Sequence, residues 1–370
     1  AIRSVWAALL LAQWLLAVAV QVEPPRAERA CEKAPGSPYV VAAIFAGRRD
    51  RMGLLLSYLD QLVSTCVLDE VHVWNSTRNI FDEWWVGSLS SRPGYTVLFP
   101  EGNTWLQAYL YYSTRGMNET LRIGGEVVPG RFAPAWPGAD KNNTVIVKTD
   151  DDIVYLDVDR FPCFVDYVRS TPEMFMVHGN IVNNGVTTYY QVHQDPELLE
   201  LLPELGKYPS VQMDTPFQYL QYGAAGALWE NASYAIELHE YFLDHVDRFA
   251  RKTGPHGEAC IVYKPPKQRM GQGRLSIQFF GARWAAFDKI SALLVEAPLI
   301  EKAHDEYTLT LVATLLPGTV ECIFPQMVVS HLAFGHQGPD IFAAVEPGYE
   351  ALAAREAESF RANPARGAAC

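Results

Sequence analysis

Three consecutive aspartates, Asp150, Asp151 and Asp152, follow an apolar run of strand length at residues 144–147. Carboxylates held together at the end of a strand repel one another, and they are costly to bury without a cation. Hard oxygen ligands suit Mn²⁺ or Mg²⁺, which keep open coordination positions for the phosphates of a substrate. The triplet therefore predicts a divalent metal site with Asp150 and Asp152 as an Asp-x-Asp pair. A solvated acidic turn or a helix N-cap is the alternative.

A second charged group follows another apolar run, at residues 39–45. It contains Arg48, Arg49 and Arg51, in a chain whose formal net charge is -12. Guanidinium groups bind phosphate through paired hydrogen bonds, so this loop predicts contacts with the phosphate or the uracil of a nucleotide. The alternative is that the arginines only keep the surface soluble. The acidic balance of the whole chain argues against nucleic acid as a partner, since that partner needs clustered Lys and Arg.

The elements that must position these groups are predicted to form an α/β fold with a mostly parallel central sheet. Apolar runs at residues 39–45, 71–74, 95–99 and 144–147 have the length of strands, and helical or loop segments separate them. Strands that alternate with helices favour a parallel sheet covered on both faces. Ligands of such sheets bind beyond the carboxyl ends of the strands. The arginine loop and the aspartate triplet are therefore expected to meet in one crevice.

Residues 148–155, Lys-Thr-Asp-Asp-Asp-Ile-Val-Tyr, resemble the Lys-Thr-Asp-Asp-Asp-Val-Phe-Val signature of the β-1,3-galactosyltransferases and the related Fringe transferases. Enzymes of that superfamily have the GT-A fold, a Rossmann-like domain that binds a nucleotide-sugar. The resemblance implies a diverged member, a hexosyltransferase that takes its sugar from a UDP-sugar donor. It implies Asp152 as a ligand of Mn²⁺ and Asp150 as a contact of the ribose or of metal-bound water. Asp151 would lie beside them in the donor site.

Residues 304–309, His-Asp-Glu-Tyr-Thr-Leu, resemble the acidic pair that precedes a helix in the same superfamily. The resemblance implies that Glu306 is the base that deprotonates the acceptor hydroxyl, with Asp305 as its substitute. Such a base must lie within hydrogen-bond reach of that hydroxyl. The alternative is that both acids cap the helix and stabilise its dipole.

Residues 328–332, Val-Val-Ser-His-Leu, resemble a late segment of these enzymes in which a histidine supplies another metal ligand. The resemblance implies His331 as that ligand. His336 is its rival, and a histidine with only a structural role is the other alternative.

An amide-rich loop at residues 179–185 follows the predicted strand at 175–178. Its side chains Asn183 and Asn184 are predicted to contact the acceptor, which would be a glycan or a glycoprotein. Ordinary turns are also rich in asparagine, so a purely structural loop is the alternative.

The N-terminal residues 1–22 predict a hydrophobic helix, because no charge occurs between Ser4 and Val22. The length of that run is close to the ~20 residues that span a bilayer, which favours a signal anchor. The small residues at 17–19 also fit a cleaved signal peptide. Residues 23–37 are predicted to be a linker, 38–345 the GT-A catalytic domain and 346–370 a C-terminal tail.

Further sequence features fit the lumen of the secretory pathway. Glycosylation sequons occur at Asn75, Asn118, Asn142 and Asn231, and the six cysteines are too scattered for a zinc site. One to three disulfides are expected in an oxidising lumen. We therefore expect a single-pass type II membrane protein of the Golgi, or a secreted protein if the N-terminal segment is cleaved.

Two other functions compete with the transferase. One is a non-catalytic lumenal protein of the same fold that binds carbohydrate or nucleotide. The other is a phosphatase or hydrolase that uses the aspartates, which is disfavoured because the chain contains no nucleophile motif such as Gly-x-Ser-x-Gly.

Overall fold

A computed structural model describes most of the chain from Lys33 onwards. The predicted N-terminal helix and most of the linker lie outside the described residues. Within the part that is described, no helix combines the length and the apolar character needed to cross a membrane. The described residues are 33–100, 108–109, 111–113, 121–123, 126–128, 143–206, 231–250, 253–254, 257–263, 275, 277–296, 309, 319–334, 337–338 and 340–363.

The protein is an α/β protein built on a mixed, mostly parallel sheet. The strands are β1 (Tyr39–Ala46), β2 (Glu70–Asn75), β3 (Tyr95–Leu98), β4 (Leu121–Ile123), β5 (Glu126–Val128), β6 (Thr144–Asp150), β7 (Ile153–Leu156), β8 (Met174–Val182), β9 (Ile261–Tyr263), β10 (Phe279–Arg283) and β11 (Val320–His331). The central sheet has the order β3-β2-β1-β6-β10-β8-β11-β7, with β9 beside β11, while β4 and β5 form a separate hairpin. Strands β7, β9 and β10 run antiparallel to their neighbours.

Helices cover the sheet on both faces, and two apolar clusters form the core. The helices are α1 (Arg49–Ser64), α2 (Ile80–Ser88), α3 (Phe161–Ser170), α4 (Gly185–Gln194), α5 (Pro196–Leu201), α6 (Pro203–Gly206), α7 (Ala232–Asp244), α8 (Val246–Phe249), α9 (Trp284–Glu296) and α10 (Asp340–Ala362). In α1, the buried side chains Met52, Leu55, Leu59 and Leu62 recur at helical spacing. This buried stripe holds α1 against β7 and α10.

The four apolar runs of the first half are confirmed as β1, β2, β3 and β6. Later in the chain, α7 and α8 are separate helices, because the backbone leaves helical geometry at His245. Helix α10 runs through the predicted boundary at 345, because Tyr349, Leu352 and Ala353 are buried on its inner face.

The strand order places a switch point between β1 and β6. From β1 the chain proceeds outwards to β2 and β3 on one side, whereas β6 lies on its other side. The two strands are parallel, and Phe45 of β1 pairs with Asp150 of β6. Their carboxyl ends therefore lie side by side, which is where open α/β sheets bind ligands.

A disulfide between Cys260 and Cys322 joins the start of β9 to the paired strand β11. Cys66 and Cys163 are disulfide-bonded as well. The expectation that the cysteines form disulfides is thus confirmed.

Candidate functional site

The carboxylate of Asp151 joins the two loops at the switch point. Its Oδ2 accepts hydrogen bonds from the backbone N–H groups of Gly47 and Arg48, each at 2.7 Å. Its Oδ1 accepts from Nε of Arg48 at 3.0 Å and from Nη2 of the same guanidinium. Backbone N–H groups between a strand and a helix bind phosphate in many α/β proteins. Here Asp151, which is 2% exposed, fills that anion site with a side chain of the protein itself.

Asp152 is also buried, and cationic side chains surround it. Its Oδ2 lies 2.9 Å from Nη2 of Arg48 and 3.7 Å from Nη1 of Arg51. The same oxygen is 3.4 Å from Nε2 of His331. Burial opposes ionisation of this carboxyl, yet His331, Arg48 and Arg51 together hold the pKa of Asp152 well below its usual range. Asp152 is therefore an ionised carboxylate in a buried position.

Asp150 lies at the end of β6 and faces solvent more than its two neighbours. Its side chain is 28% exposed and forms an ion pair with Lys148. Partial burial raises the pKa of Asp150 to about 6, and Lys148 limits that increase. Lys148 is held in turn by the carbonyl of Ile277 at 2.6 Å. Asp150 therefore has a cationic partner of its own beside the Asp152 cluster.

The turn after β6 brings His331 to the triplet. The chain passes from Asp150 through two residues into β7, which pairs antiparallel with the end of β11. The backbone N–H of Leu332 donates to the carbonyl of Asp152 at 2.9 Å, and the ladder shifts register between Ser330 and His331. Such irregularities often aim a side chain at a functional site. Here the shift lies directly beside His331.

The side chains of Asp152 and His331 fit a divalent ion that is bound by only two protein ligands. Among the described residues, no three His, Cys, Asp or Glu side chains gather into a group that would hold a metal by themselves. Asp152 and His331 nevertheless present a carboxylate and an imidazole to one point, and Mg²⁺-type sites often contain one or two carboxylates with phosphates and waters. Oδ1 of Asp152 and Nδ1 of His331 are buried and have no hydrogen-bond partner in the described part of the chain.

The three arginines of the first loop have different surroundings. Arg48 binds Asp151 and Asp152, and its side chain is 44% exposed. Arg51 has a side chain 18% exposed, and its buried Nε has no hydrogen-bond partner among the described residues. The exposed Arg49 instead lies over the ring of Trp85, 5.9 Å from its centroid. Only Arg48 and Arg51 thus approach the triplet.

Asn183 and Asn184 are buried and form hydrogen bonds within the protein. Asn184 caps α4, since its Oδ1 accepts from the backbone of Val186 and Thr187. Asn183 donates to the carbonyl of Leu332 at 3.0 Å. The contact that these amides were predicted to make with an acceptor remains a prediction.

Asp305, Glu306 and His336 lie outside the described residues. The predicted base and the rival metal ligand therefore remain predictions from the sequence.

Three further polar residues, which the sequence analysis did not select, lie behind His331. His239 of α7 and Tyr349 of α10 are fully buried and share a hydrogen bond of 2.7 Å. Ser330, also fully buried, lies 2.6 Å from the hydroxyl of Tyr349. Each occupies a buried position of its helix or strand, as core residues of no special role also do. Only the position of Ser330 next to His331 was a signal for this group.

Comparison with models of known protein families finds no match for this chain, and comparison with curated proteins finds none either.

We predict that Asp151→Ala lowers the free energy of unfolding by about 3 kcal/mol, because it leaves the backbone N–H groups of Gly47 and Arg48 without an acceptor. Urea denaturation monitored by circular dichroism measures the change. Asp166→Ala is the matched control, since it removes a 53% exposed carboxylate that pairs with Arg169 on the surface and is expected to change stability by less than ~1 kcal/mol. Equal effects of the two substitutions would contradict the anchoring role of Asp151.

We predict that His239 makes folding less favourable as the pH falls from 6.5 towards 4. Burial lowers the pKa of His239 from 6.5 to about 4, so in this window the unfolded chain binds a proton that the folded protein does not. The contribution of neutral His239 is present above pH 6.5 and is lost as the pH falls, by about 3 kcal/mol in total. Denaturant titrations of wild type and His239→Gln across this window test the effect. Identical pH dependence in the two proteins would contradict it.

Proposed function

We propose that this chain is a metal-dependent glycosyltransferase of the GT-A type, which moves a sugar from a UDP-sugar to a hydroxyl of a glycan or glycoprotein. One observation carries the proposal. At the carboxyl ends of β1 and β6, Arg48 and Arg51 converge with Asp152 and His331, at the switch point where α/β sheets bind nucleotides. The resemblance of residues 148–155 to the galactosyltransferase signature gives the convergence its chemical interpretation.

The electrostatics of the crevice support a diphosphate as ligand. The N–H groups that bind phosphate in related arrangements are already taken by Asp151. A diphosphate must therefore be neutralised by cations, and Arg51 offers a buried Nε that no described residue accepts from. Arg48 is exposed enough to turn one edge of its guanidinium towards a ligand.

Asp152 and His331 are the side chains that would hold the divalent ion. When bound, such an ion supplies Lewis-acid stabilisation of the departing diphosphate. Asp152 is ionised, as a metal ligand must be, because His331, Arg48 and Arg51 outweigh the effect of burial and keep its pKa low. Asp150 then lies at the edge of the site, as a contact of the ribose or of a water.

Transfer to the acceptor requires a base, and we assign this role to Glu306 with Asp305 as its substitute. The base takes the proton of the acceptor hydroxyl while the oxygen forms a bond to the anomeric carbon. The bond from that carbon to the diphosphate breaks, and the nucleotide leaves with both electrons of the bond.

We place this activity in the lumen of the secretory pathway, on a type II membrane protein held by residues 1–22. The disulfide of Cys260 and Cys322 supports an oxidising compartment, because such bonds persist in secreted and lumenal proteins.

The test is a panel of nucleotide-sugars with Mn²⁺, scored for thermal stabilisation and for hydrolysis of the donor. We expect UDP with Mn²⁺ to raise the melting temperature and Asp152→Ala to abolish both that shift and the turnover. Glu197→Ala, which removes a 62% exposed carboxylate paired with Arg248, is expected to behave as wild type. Stabilisation by UDP without turnover of any donor would favour the binding protein instead. Stabilisation by phosphate alone, with none by UDP, would overturn the proposal.

We predict that the arginines contribute unequally to nucleotide binding. Arg51→Ala should raise the Kd for UDP in the presence of Mn²⁺ about tenfold, the usual effect of losing one hydrogen bond to a charged group. Arg49→Ala should leave it within about twofold, since Arg49 lies over Trp85 rather than in the crevice. Isothermal titration calorimetry measures both. A larger loss for the Arg49 variant than for the Arg51 variant would contradict the assigned phosphate contact.

A further inference from the structure

A buried chain of hydrogen bonds runs from α10 through α7 to the residues that flank His331. Ser330 contacts Tyr349, and Tyr349 contacts Nδ1 of His239 at 2.7 Å. Nε2 of His239 lies 2.8 Å from the carbonyl oxygen of Leu332. The three side chains are each 0% exposed. Polar groups at this depth are costly unless each is satisfied, so the network is a specific feature of the fold.

The hydrogen bond between His239 and the carbonyl of Leu332 sets the direction of the others. A carbonyl only accepts, so Nε2 of His239 carries the proton and donates to Leu332. Neutral His239 then accepts at Nδ1, where the hydroxyl of Tyr349 at 2.7 Å is the nearer donor and that of Ser330 lies at 3.4 Å. The oxygen of Tyr349 in turn accepts from the hydroxyl of Ser330. The chain has one consistent polarity, which starts at the residue before His331 and ends at the residue after it.

The carbonyl of Leu332 accepts a second hydrogen bond, from Asn183. Nδ2 of Asn183 donates to the carbonyl of Leu332 at 3.0 Å and also to Gln337 at 3.0 Å. The N–H of Leu332 is held by the carbonyl of Asp152. Both polar groups of the Leu332 backbone are therefore bound, and they link the segment of His331 to that of Asp152.

We infer that His239 and Tyr349 are positioning residues that fix His331 against Asp152 and so set the affinity of this pair for a divalent cation. The inference rests on the proposed function, because it assigns the cation to Asp152 and His331. Neither His239 nor Tyr349 touches the ion. They act by preventing the strand end at 330–332 from shifting, which would change the 3.4 Å separation between Nε2 of His331 and Oδ2 of Asp152.

The test compares two buried tyrosines in the full chain. Tyr349→Phe removes the donor to His239, whereas Tyr58→Phe removes a hydroxyl that is equally buried and has no hydrogen-bond partner among the described residues. Calorimetric titration with Mn²⁺ alone is expected to show a Kd about tenfold higher for Tyr349→Phe, the lower end of the range for groups that support a metal ligand. Tyr58→Phe is expected to keep the wild-type value.

A second pair separates positioning from general loss of structure. His239→Gln keeps an N–H near the position of Nε2, whereas His239→Leu has a similar volume and no donor. We expect the Gln variant to bind Mn²⁺ more tightly than the Leu variant, with cooperative unfolding in both. Wild-type Mn²⁺ affinity in Tyr349→Phe and in both His239 variants would overturn the positioning role and leave the proposed function standing. Absence of Mn²⁺ binding by the wild type would overturn the metal site and this inference with it.

Discussion

The site depends on one buried interaction. The carboxylate of Asp151 accepts hydrogen bonds from the backbone N–H groups of Gly47 and Arg48. The interaction is stronger than a neutral hydrogen bond, because the acceptor is a carboxylate and the donors lie at the N-terminus of the helix that begins at Arg49. The dipole of that helix favours an anion there. The interaction ties the loop after β1 to the turn after β6. Without it, the three adjacent carboxylates would repel each other at a strand end, with nothing to fix which of them points inwards.

Once Asp151 is fixed, its neighbours have little freedom. Asp150 is the last residue of β6, whereas Asp151 and Asp152 lie in the turn that follows. The turn separates the side chains, so that Asp150 pairs with Lys148 and Asp152 lies beside Arg48, Arg51 and His331. The same residue type thus meets three environments within three positions. One carboxylate is an internal anchor, one is a buried anion among cations, and one remains partly open to solvent. This division follows from burial and partners, which the sequence of three identical residues does not encode.

The sequence was sufficient for the features that depend on local pattern. Apolar runs predicted β1, β2, β3 and β6, and the rule for parallel sheets predicted that the loops after β1 and β6 would meet. It was insufficient for contacts between distant segments. Asp151 and Gly47 are 104 positions apart, and no local pattern connects them. The role of Asn184 as the cap of α4 was hidden for another reason, since a capping asparagine and a ligand-binding asparagine have the same neighbours in sequence.

Buried polar atoms without partners are rare in folded proteins, and each one needs an explanation. Three of them belong to Asp152 and to two side chains that approach it, namely Oδ1 of Asp152, Nδ1 of His331 and Nε of Arg51. If these atoms had no ligand, each would lower the stability of the fold by about 1–3 kcal/mol without a compensating interaction. They comprise an acceptor that suits a cation, an imidazole nitrogen and a donor that suits an anion. A ligand that brings positive and negative charge together, as a metal-bound diphosphate does, would satisfy the acceptor and the donor at once. Binding of such a ligand, which our proposal assigns to this site, would offset the free-energy cost of leaving these atoms without partners.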